Sequence, residues 1–347
     1  MKSIIYLYTE IMPYQVNTYK ILSSMGYCLH VFYLDELTQT PYTPPEIFNV
    51  HYYPKSRYSK KDLISFIEKL KPCLIVACGW QDLDYLFISR HFRNKLNIPV
   101  ICPIDTQFLW KLKQILGIMS SKFYIKPCFS HIWVPGFRQY EFARLLGYPK
   151  NRILFNSLSG DNALFNQVSI ISKSKKYPKN FLFVGRYKKV KGLDILLEAW
   201  NKIDDKKGWT LTLVGNGPLK EEISRNPNIR VLDFMDQKDL VLQAQNSGCF
   251  VLPSIYEPWG TVLQEFAAAG LPIICSNSCG ASTYFVEHGY NGYVVETGNH
   301  IDLQKKMSKI INATEEEMIL MCERSRYLSH RVTPEISAFS LLRVLDT

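Results

Sequence analysis

Ser254-Ile-Tyr-Glu-Pro-Trp-Gly-Thr-Val-Leu-Gln-Glu-Phe-Ala-Ala-Ala-Gly270 reads as a polar loop running into a helix. The residues just before it, Cys249-Phe-Val-Leu-Pro253, form a short apolar run of the kind that ends a buried parallel strand, with Pro253 as its stop. Residues 261–269 favour a helix and Gly270 terminates it. This layout leaves Glu257 in the loop and Glu265 about one turn inside the helix. The backbone N–H groups of Gly260, Thr261 and Val262 lie at the helix start, where an anionic phosphate is favoured. Carboxylates accept paired hydrogen bonds from vicinal hydroxyls, so a ligand with sugar hydroxyls on both sides of a phosphate fits the pattern.

Outward from this stretch the chain alternates apolar runs with helical patterns. Strands are expected at residues 3–8, 28–34, 73–78, 99–103 and 131–134, with helices between them at 15–25, 60–70, 83–96, 109–119 and 139–146. Composition shifts to Ser, Lys and Pro over residues 169–179, which reads as a linker. A second series then runs through strands at 180–184, 210–214, 229–232, 249–252, 272–275 and 292–295. Continuous apolar strands alternating with helices indicate parallel sheets covered on both faces. The predicted class is therefore α/β with two doubly wound domains, and ligands are expected at the carboxyl ends of the strands.

The second informative stretch is Phe181-Leu-Phe-Val-Gly-Arg-Tyr-Lys-Lys-Val-Lys-Gly192. A strand ends at Gly185, where backbone can approach a ligand, and Arg186 and Lys191 flank a loop that opens the next helix. Two cations there would neutralise a diphosphate. Gly215 lies in the turn after the following strand, and Met235 just beyond the end of the strand after that.

Glu257-Pro-Trp-Gly-x-Val-Leu-x-Glu265, followed by Ala-Ala-Gly-Leu-Pro-Ile-Ile and by Glu287-His-Gly-Tyr-Asn-Gly-Tyr293, resembles the retaining glycosyltransferases of glycosyltransferase family 4. The resemblance covers roughly the C-terminal half, with a fainter trace in the N-terminal half. It implies the GT-B arrangement of two Rossmann-like domains: an acceptor-side domain over 1–170, a nucleotide-sugar domain over 171–330, and a last helix within 331–347 that crosses back to the first. It also implies roles for residues. Arg186 and Lys191 would contact the diphosphate and stabilise the leaving group, Glu257 would orient the donor sugar and Glu265 would hold the ribose diol. Backbone amides of Trp259, Gly260 and Thr261 would face the sugar and phosphates. The family often has a His after the fourth strand that touches the donor sugar; the matching place here holds Asp105, the candidate near the reacting centre. Where many members carry a Gly-Gly pair after the first strand, this chain reads Glu10-Ile-Met-Pro-Tyr-Gln15, which suits an acceptor loop.

The implied activity is retaining transfer from a nucleotide-diphosphate sugar, with UDP as the commonest base, to a glycan or lipid-linked acceptor in surface polysaccharide synthesis. No metal is implied, because Arg186 and Lys191 do what magnesium does elsewhere and the only Asp-x-Asp triplet, Asp82-Leu-Asp84, is far from the diphosphate pieces. Two rival readings remain: a sugar-nucleotide epimerase of the same architecture, and a non-catalytic nucleotide-binding subunit.

Composition narrows the setting. The 347 residues suffice for two domains, and no apolar run is long enough to span a bilayer. Lys2 leads directly into a strand pattern and not into a signal peptide, so a cytoplasmic location is expected. The nine cysteines are scattered through apolar runs, and neither Cys73 with Cys78 nor Cys275 with Cys279 has a second half at metal-ligand spacing. Net charge is +10. Between Thr106 and Arg152 eight Lys or Arg face a single acid, Glu141, and are interleaved with aromatic and aliphatic residues. That pattern fits an anionic membrane surface or a core helix with solvated lysines; no nucleic-acid recognition module is present.

Overall fold

The computed structural model describes residues 1–35, 42–224 and 229–346. It divides into two compact units, Met1–Ser159 with Pro334–Thr347, and Gly160–Thr333. Both are built on one plan.

The first unit holds a seven-stranded parallel sheet: β1 (Lys2–Leu7), β2 (Tyr27–Tyr33), β3 (Val50–Pro54), β4 (Leu74–Ala77), β5 (Val100–Pro103), β6 (His131–Trp133) and β7 (Ile153–Leu154). The strand order is β3-β2-β1-β4-β5-β6-β7. Ile4 aligns with Leu29 on one side and Leu74 on the other, and all three are fully buried. Helices cover both faces, which is why β1 and β4 read as unbroken apolar runs. Strand β3 was not expected, since His51, Tyr52 and Tyr53 on this outer strand are half-buried or exposed and give no continuous apolar run. The C-terminal helix Pro334–Leu342 belongs to this unit. Its Ala338 and Leu341 join the core around Tyr19 and Leu22, and Ser337 and Ser340 donate to the carbonyls of Asn156 and Phe155 at 2.6 Å each.

The second unit holds β8 (Asn180–Val184), β9 (Thr210–Val214), β10 (Arg230–Leu232), β11 (Cys249–Leu252), β12 (Ile273–Ser276) and β13 (Gly292–Val295), all parallel, in the order β10-β9-β8-β11-β12-β13. In both units the order runs outward from the first strand and then reverses to the fourth. The switch points lie between β1 and β4 and between β8 and β11, where doubly wound sheets open a crevice at their carboxyl ends.

Three expectations need correction. The units part between Ser159 and Gly160, ahead of the boundary expected at 170, and the Ser/Lys-rich stretch from 169 is no linker. Ile170–Lys175 is helical there, and Lys173 is almost completely buried, its ammonium donating to the carbonyls of Ala244 (2.8 Å) and Ser247 (2.7 Å). The polar composition misleads because this lysine caps the end of helix Gln237–Gln245, satisfying carbonyls that helix geometry leaves open. The helix expected at 109–119 runs Leu112–Tyr124.

Candidate functional site

The second unit's switch point brings the two informative stretches together. The loops leaving β8 and β11 are stitched backbone to backbone: Ile255 N donates to Val190 O at 2.9 Å, and Tyr256 N to the same oxygen at 3.3 Å. Gly192 makes that approach possible. Its φ is +67°, and a β-carbon there would run into the Pro253 carbonyl. The consequence is an ion pair between Lys191 Nζ and Glu257 Oε2, with Ser254 Oγ 3.5 Å from the same carboxylate oxygen. Only 16% of the lysine side chain and 11% of the glutamate side chain are exposed. Stripped of much of their water, the two charges compensate one another.

The helix start lies against this pair. Gly260 has φ +91°, and a β-carbon would stand 2.9 Å from Glu257 Cγ. Helix Thr261–Ala268 has no side-chain cap; its first closing bond is Leu263 N to Gly260 O at 2.9 Å. Among the described residues no protein acceptor meets the amides of Gly260, Thr261 or Val262. The loop carrying Glu257 is itself pinned, because Gly280 N donates to Glu257 O (3.1 Å) and Ala281 N to Trp259 O (2.8 Å). The Trp259 indole is buried edge-on to Tyr284 and Phe285, so this residue can offer a ligand only its backbone.

Glu265 sits on the same helix. Burial pushes its carboxyl up to about 7, with the nearby Asp161 adding to the rise and a 2.9 Å hydrogen bond from Gln237 Nε2 opposing it. Gln237 escaped the sequence reading. It is the first residue of the helix after β10, just behind Asp236, whose carboxylate caps that helix by accepting from Asp239 N. The other residues singled out lie on the same edge. Gly185 N bonds Val214 O (3.0 Å), Gly215 N bonds Leu232 O (3.1 Å), Met235 is half-buried between β10 and its helix, and Arg186 is exposed in the β8 loop.

The first unit's switch point has different chemistry. Burial pushes the Tyr14 phenol up, and Asp105, Cys78 and Glu10 add to it in that order. The Cys78 thiol is pushed up to about 11, by burial first and Asp105 second, with a hydrogen bond involving Thr9 opposing. Asp105 is exposed beyond the end of β5, and its carbonyl accepts from Gln139 Nε2 at 2.9 Å. Asp82 caps helix Leu83–Leu96 and pairs with Lys55 at 2.5 Å, while Asp84 lies 3.5 Å from the same lysine. That Asp-x-Asp triplet is thus occupied by capping and ion pairing.

Most of the helix Leu112–Tyr124 projects outward: Leu112, Leu116, Met119 and Phe123 are exposed, as are Lys113 and Lys122, and only Ser121 is buried. Trp110, just ahead of it, is 79% exposed. No helix among the described residues is long and apolar enough to cross a membrane, and no cluster of three or more His, Cys, Asp or Glu among them is placed to hold a metal ion. All nine cysteines are free thiols.

Residues 167–322 match the sequence family described as glycosyl transferases group 1. Over this stretch, 156 of the 347 residues, the chain is similar to the group 1 glycosyl transferases. It is 26% identical over 285 residues to the D-rhamnosyltransferase WbpZ of Pseudomonas aeruginosa, covering 79% of this chain and 65% of that protein. It is 31% identical over 154 residues to the capsular polysaccharide biosynthesis glycosyltransferase CapM of Staphylococcus aureus, covering 40% of each. For three further curated glycosyltransferases, each 30% identical, the chain spans half or less of their length. The crystal structure of Anabaena HepE in complex with UDP and glucose superposes over 100% of both chains with a TM-score of 0.72 at 15% identity. The fold of this chain is GT-B.

Proposed function

We propose that this protein is a retaining glycosyltransferase that moves a sugar from a nucleotide-diphosphate sugar, with UDP the favoured base, to a glycan or lipid-linked acceptor in surface polysaccharide synthesis. The observation that carries this reading is the Lys191 to Glu257 pair set beside three open amides of a helix. A diphosphate at that helix start gains the amides, Lys191 and Arg186. Lys191 then exchanges Glu257 for the phosphate, and the freed carboxylate takes the donor sugar's hydroxyls. Glu265 and Gln237 stand together one turn on, suited to a ribose diol. As the bond from the sugar to the phosphate breaks, negative charge grows on the leaving oxygen. Preorganised cations and amides lower that barrier, each such donor being worth about 3 kcal/mol. No metal is required in this scheme, because the two cations compensate the charge.

Asp105 is assigned to the reaction as the first unit's contribution, on the strength of an exposed carboxylate at the carboxyl end of β5. The outward face of helix Leu112–Tyr124, with Trp110 and its lysines, is assigned to an anionic membrane surface, which fits a lipid-linked acceptor. The names of CapM and WbpZ and the UDP and glucose in the HepE complex support the donor and product classes. The test is a transfer assay with radiolabelled UDP-, GDP- and ADP-sugars on membrane-derived acceptors. Label entering the glycan fraction from one nucleotide class, with the α or β configuration of the donor preserved, supports the proposal. Isomerised or hydrolysed donor without incorporation would remove it.

A further inference from the structure

The first unit has a polar cavity on the opposite edge of its sheet from the switch point. It is lined by residues that lead into β5, β6 and β7, including Arg93, Lys126, Phe129, His131, Tyr148 and Arg152, and has a volume of about 740 Å³. Ligands of doubly wound sheets bind at the carboxyl ends of strands, so a cavity at the amino ends is separate from the site described above. Its lining carries three cations. Among the described residues Arg93, Lys126 and Arg152 form no ion pair, so no protein carboxylate compensates them. Among the described residues no acidic side chain lines the cavity.

The cations are held in place. Arg93 Nη1 donates to Phe129 O at 2.6 Å and Lys126 Nζ to Gly147 O at 3.1 Å. Arg93 and Arg152 are close enough for Arg152 to help lower the pKa of Arg93, after burial. His131, 3% exposed, adds no competing negative group. Ser130 Oγ donates to Val100 O (2.9 Å) and accepts from Val100 N (3.0 Å), so the contact of His131 Nδ1 with Ser130 Oγ at 2.9 Å puts the ring proton on Nδ1. Nε2 then faces Arg152 Nη1 at 3.5 Å with its lone pair. Like charges gathered in a concavity without a counterion repel one another, and a bound anion relieves that repulsion while gaining charge-assisted hydrogen bonds.

We propose that this cavity is an anion site for a phosphate ester, with Arg93, Lys126 and Arg152 holding the phosphate and Phe129 and Tyr148 lining the space for the organic part. The ester is either a soluble small molecule or the headgroup of a lipid. The test uses the full chain carrying Arg186→Ala and Lys191→Ala, which removes the donor diphosphate site, and Trp110→Ser and Phe123→Ser, which weaken the exposed apolar face. Glycerol 3-phosphate and pyrophosphate are titrated calorimetrically, and vesicles containing phosphatidic acid are sedimented with the protein. Saturable binding of the soluble phosphates, weakened at least about tenfold by Arg152→Gln and by Lys126→Gln, supports the site with a soluble ligand. Vesicle binding with the same dependence on these two residues, and no soluble binding, supports the site with a lipid ligand. Both substitutions are at surface-accessible positions, and circular dichroism confirms that each variant is folded. Absence of binding in both arms, or binding unchanged by both substitutions, overturns the proposal.

Discussion

The two switch points share a strand order and differ in the side chains their loops carry. At the second unit's, the loops after β8 and β11 are sewn together by backbone bonds and present cations, a paired carboxylate and an uncapped helix start. At the first unit's, the loops after β1, β4 and β5 present Glu10, Tyr14, Cys78 and Asp105. The comparison teaches that the parallel sheet supplies the location and the loops supply the chemistry. The proposed function assigns phosphate to the second unit's edge and hydroxyl groups to the first unit's.

The sharpest way to break the comparison is to remove its cationic half. Lys191→Ala is expected to lower kcat by roughly 10²- to 10³-fold, the loss typical for one preorganised transition-state donor. Glu257→Gln, which keeps the size and removes the charge, should cost a similar factor in transfer while leaving nucleotide binding in place. Steady-state kinetics beside nucleotide titration checks both, and a Lys191→Ala enzyme of unaltered kcat would dissolve the assigned contrast.

Next in size is Gly192→Ala. The positive φ and the collision with the Pro253 carbonyl should destabilise the second unit by more than about 1 kcal/mol, which calorimetry would register as a fall in Tm of several degrees. An unchanged Tm would mean that the two loops are not locked as described.

Asp105→Asn tests the other half. Transfer should fall at least about tenfold while nucleotide affinity stays within a factor of two, because the residue lies in the first unit and the groups proposed to hold the nucleotide lie in the second. Equal loss of both would contradict the division of labour.

The smallest effect is a pH dependence. The Glu265 carboxyl is raised by burial to about 7 from an ordinary value of 4.5. Since its folded pKa lies above the unfolded one, its contribution to stability is fully present below about 4.5 and is lost as pH rises toward 7. Glu265→Gln should therefore flatten the stability profile between those values in denaturant titrations. A ribose diol prefers the ionised carboxylate, so nucleotide affinity of the unmodified protein should rise from pH 6 to pH 8, and that of Glu265→Gln should not.

Much of this was legible because local signals and tertiary placement agree. The run Cys249 to Gly270 encodes its own strand, stop, loop and helix, and the turn from Gly185 to Gly192 encodes its glycines and cations in order. The pairing of Lys191 with Glu257 was not legible, since it depends on Val190 and Ile255 meeting across neighbouring strands. Gln237 was hidden for the same reason: nothing in its own surroundings points to Glu265, which is brought near by a different strand's helix. Helix His300–Asn312 was passed over although Leu303, Met307, Ile310 and Ile311 recur at helical spacing, because Lys and Asp around them lower the average hydropathy. The basic segment from Thr106 to Arg152 reads as one patch, yet the fold divides it. Lys113 and Lys122 go to an exposed apolar helix, and Lys126 and Arg152 go to a cavity at the strands' amino ends.

The central claim is that the second unit's switch point binds a nucleotide-diphosphate sugar through Lys191 without a metal. Thermal unfolding of the unmodified protein and of Lys191→Ala, in EDTA, with a panel of UDP, GDP, ADP and their sugar conjugates measures it most directly. The account predicts that one nucleotide class stabilises the unmodified protein, by about 2.7 kcal/mol at a hundred times its Kd, and that the variant loses most of this shift. Stabilisation that vanishes in EDTA, or that is the same in Lys191→Ala, would contradict it.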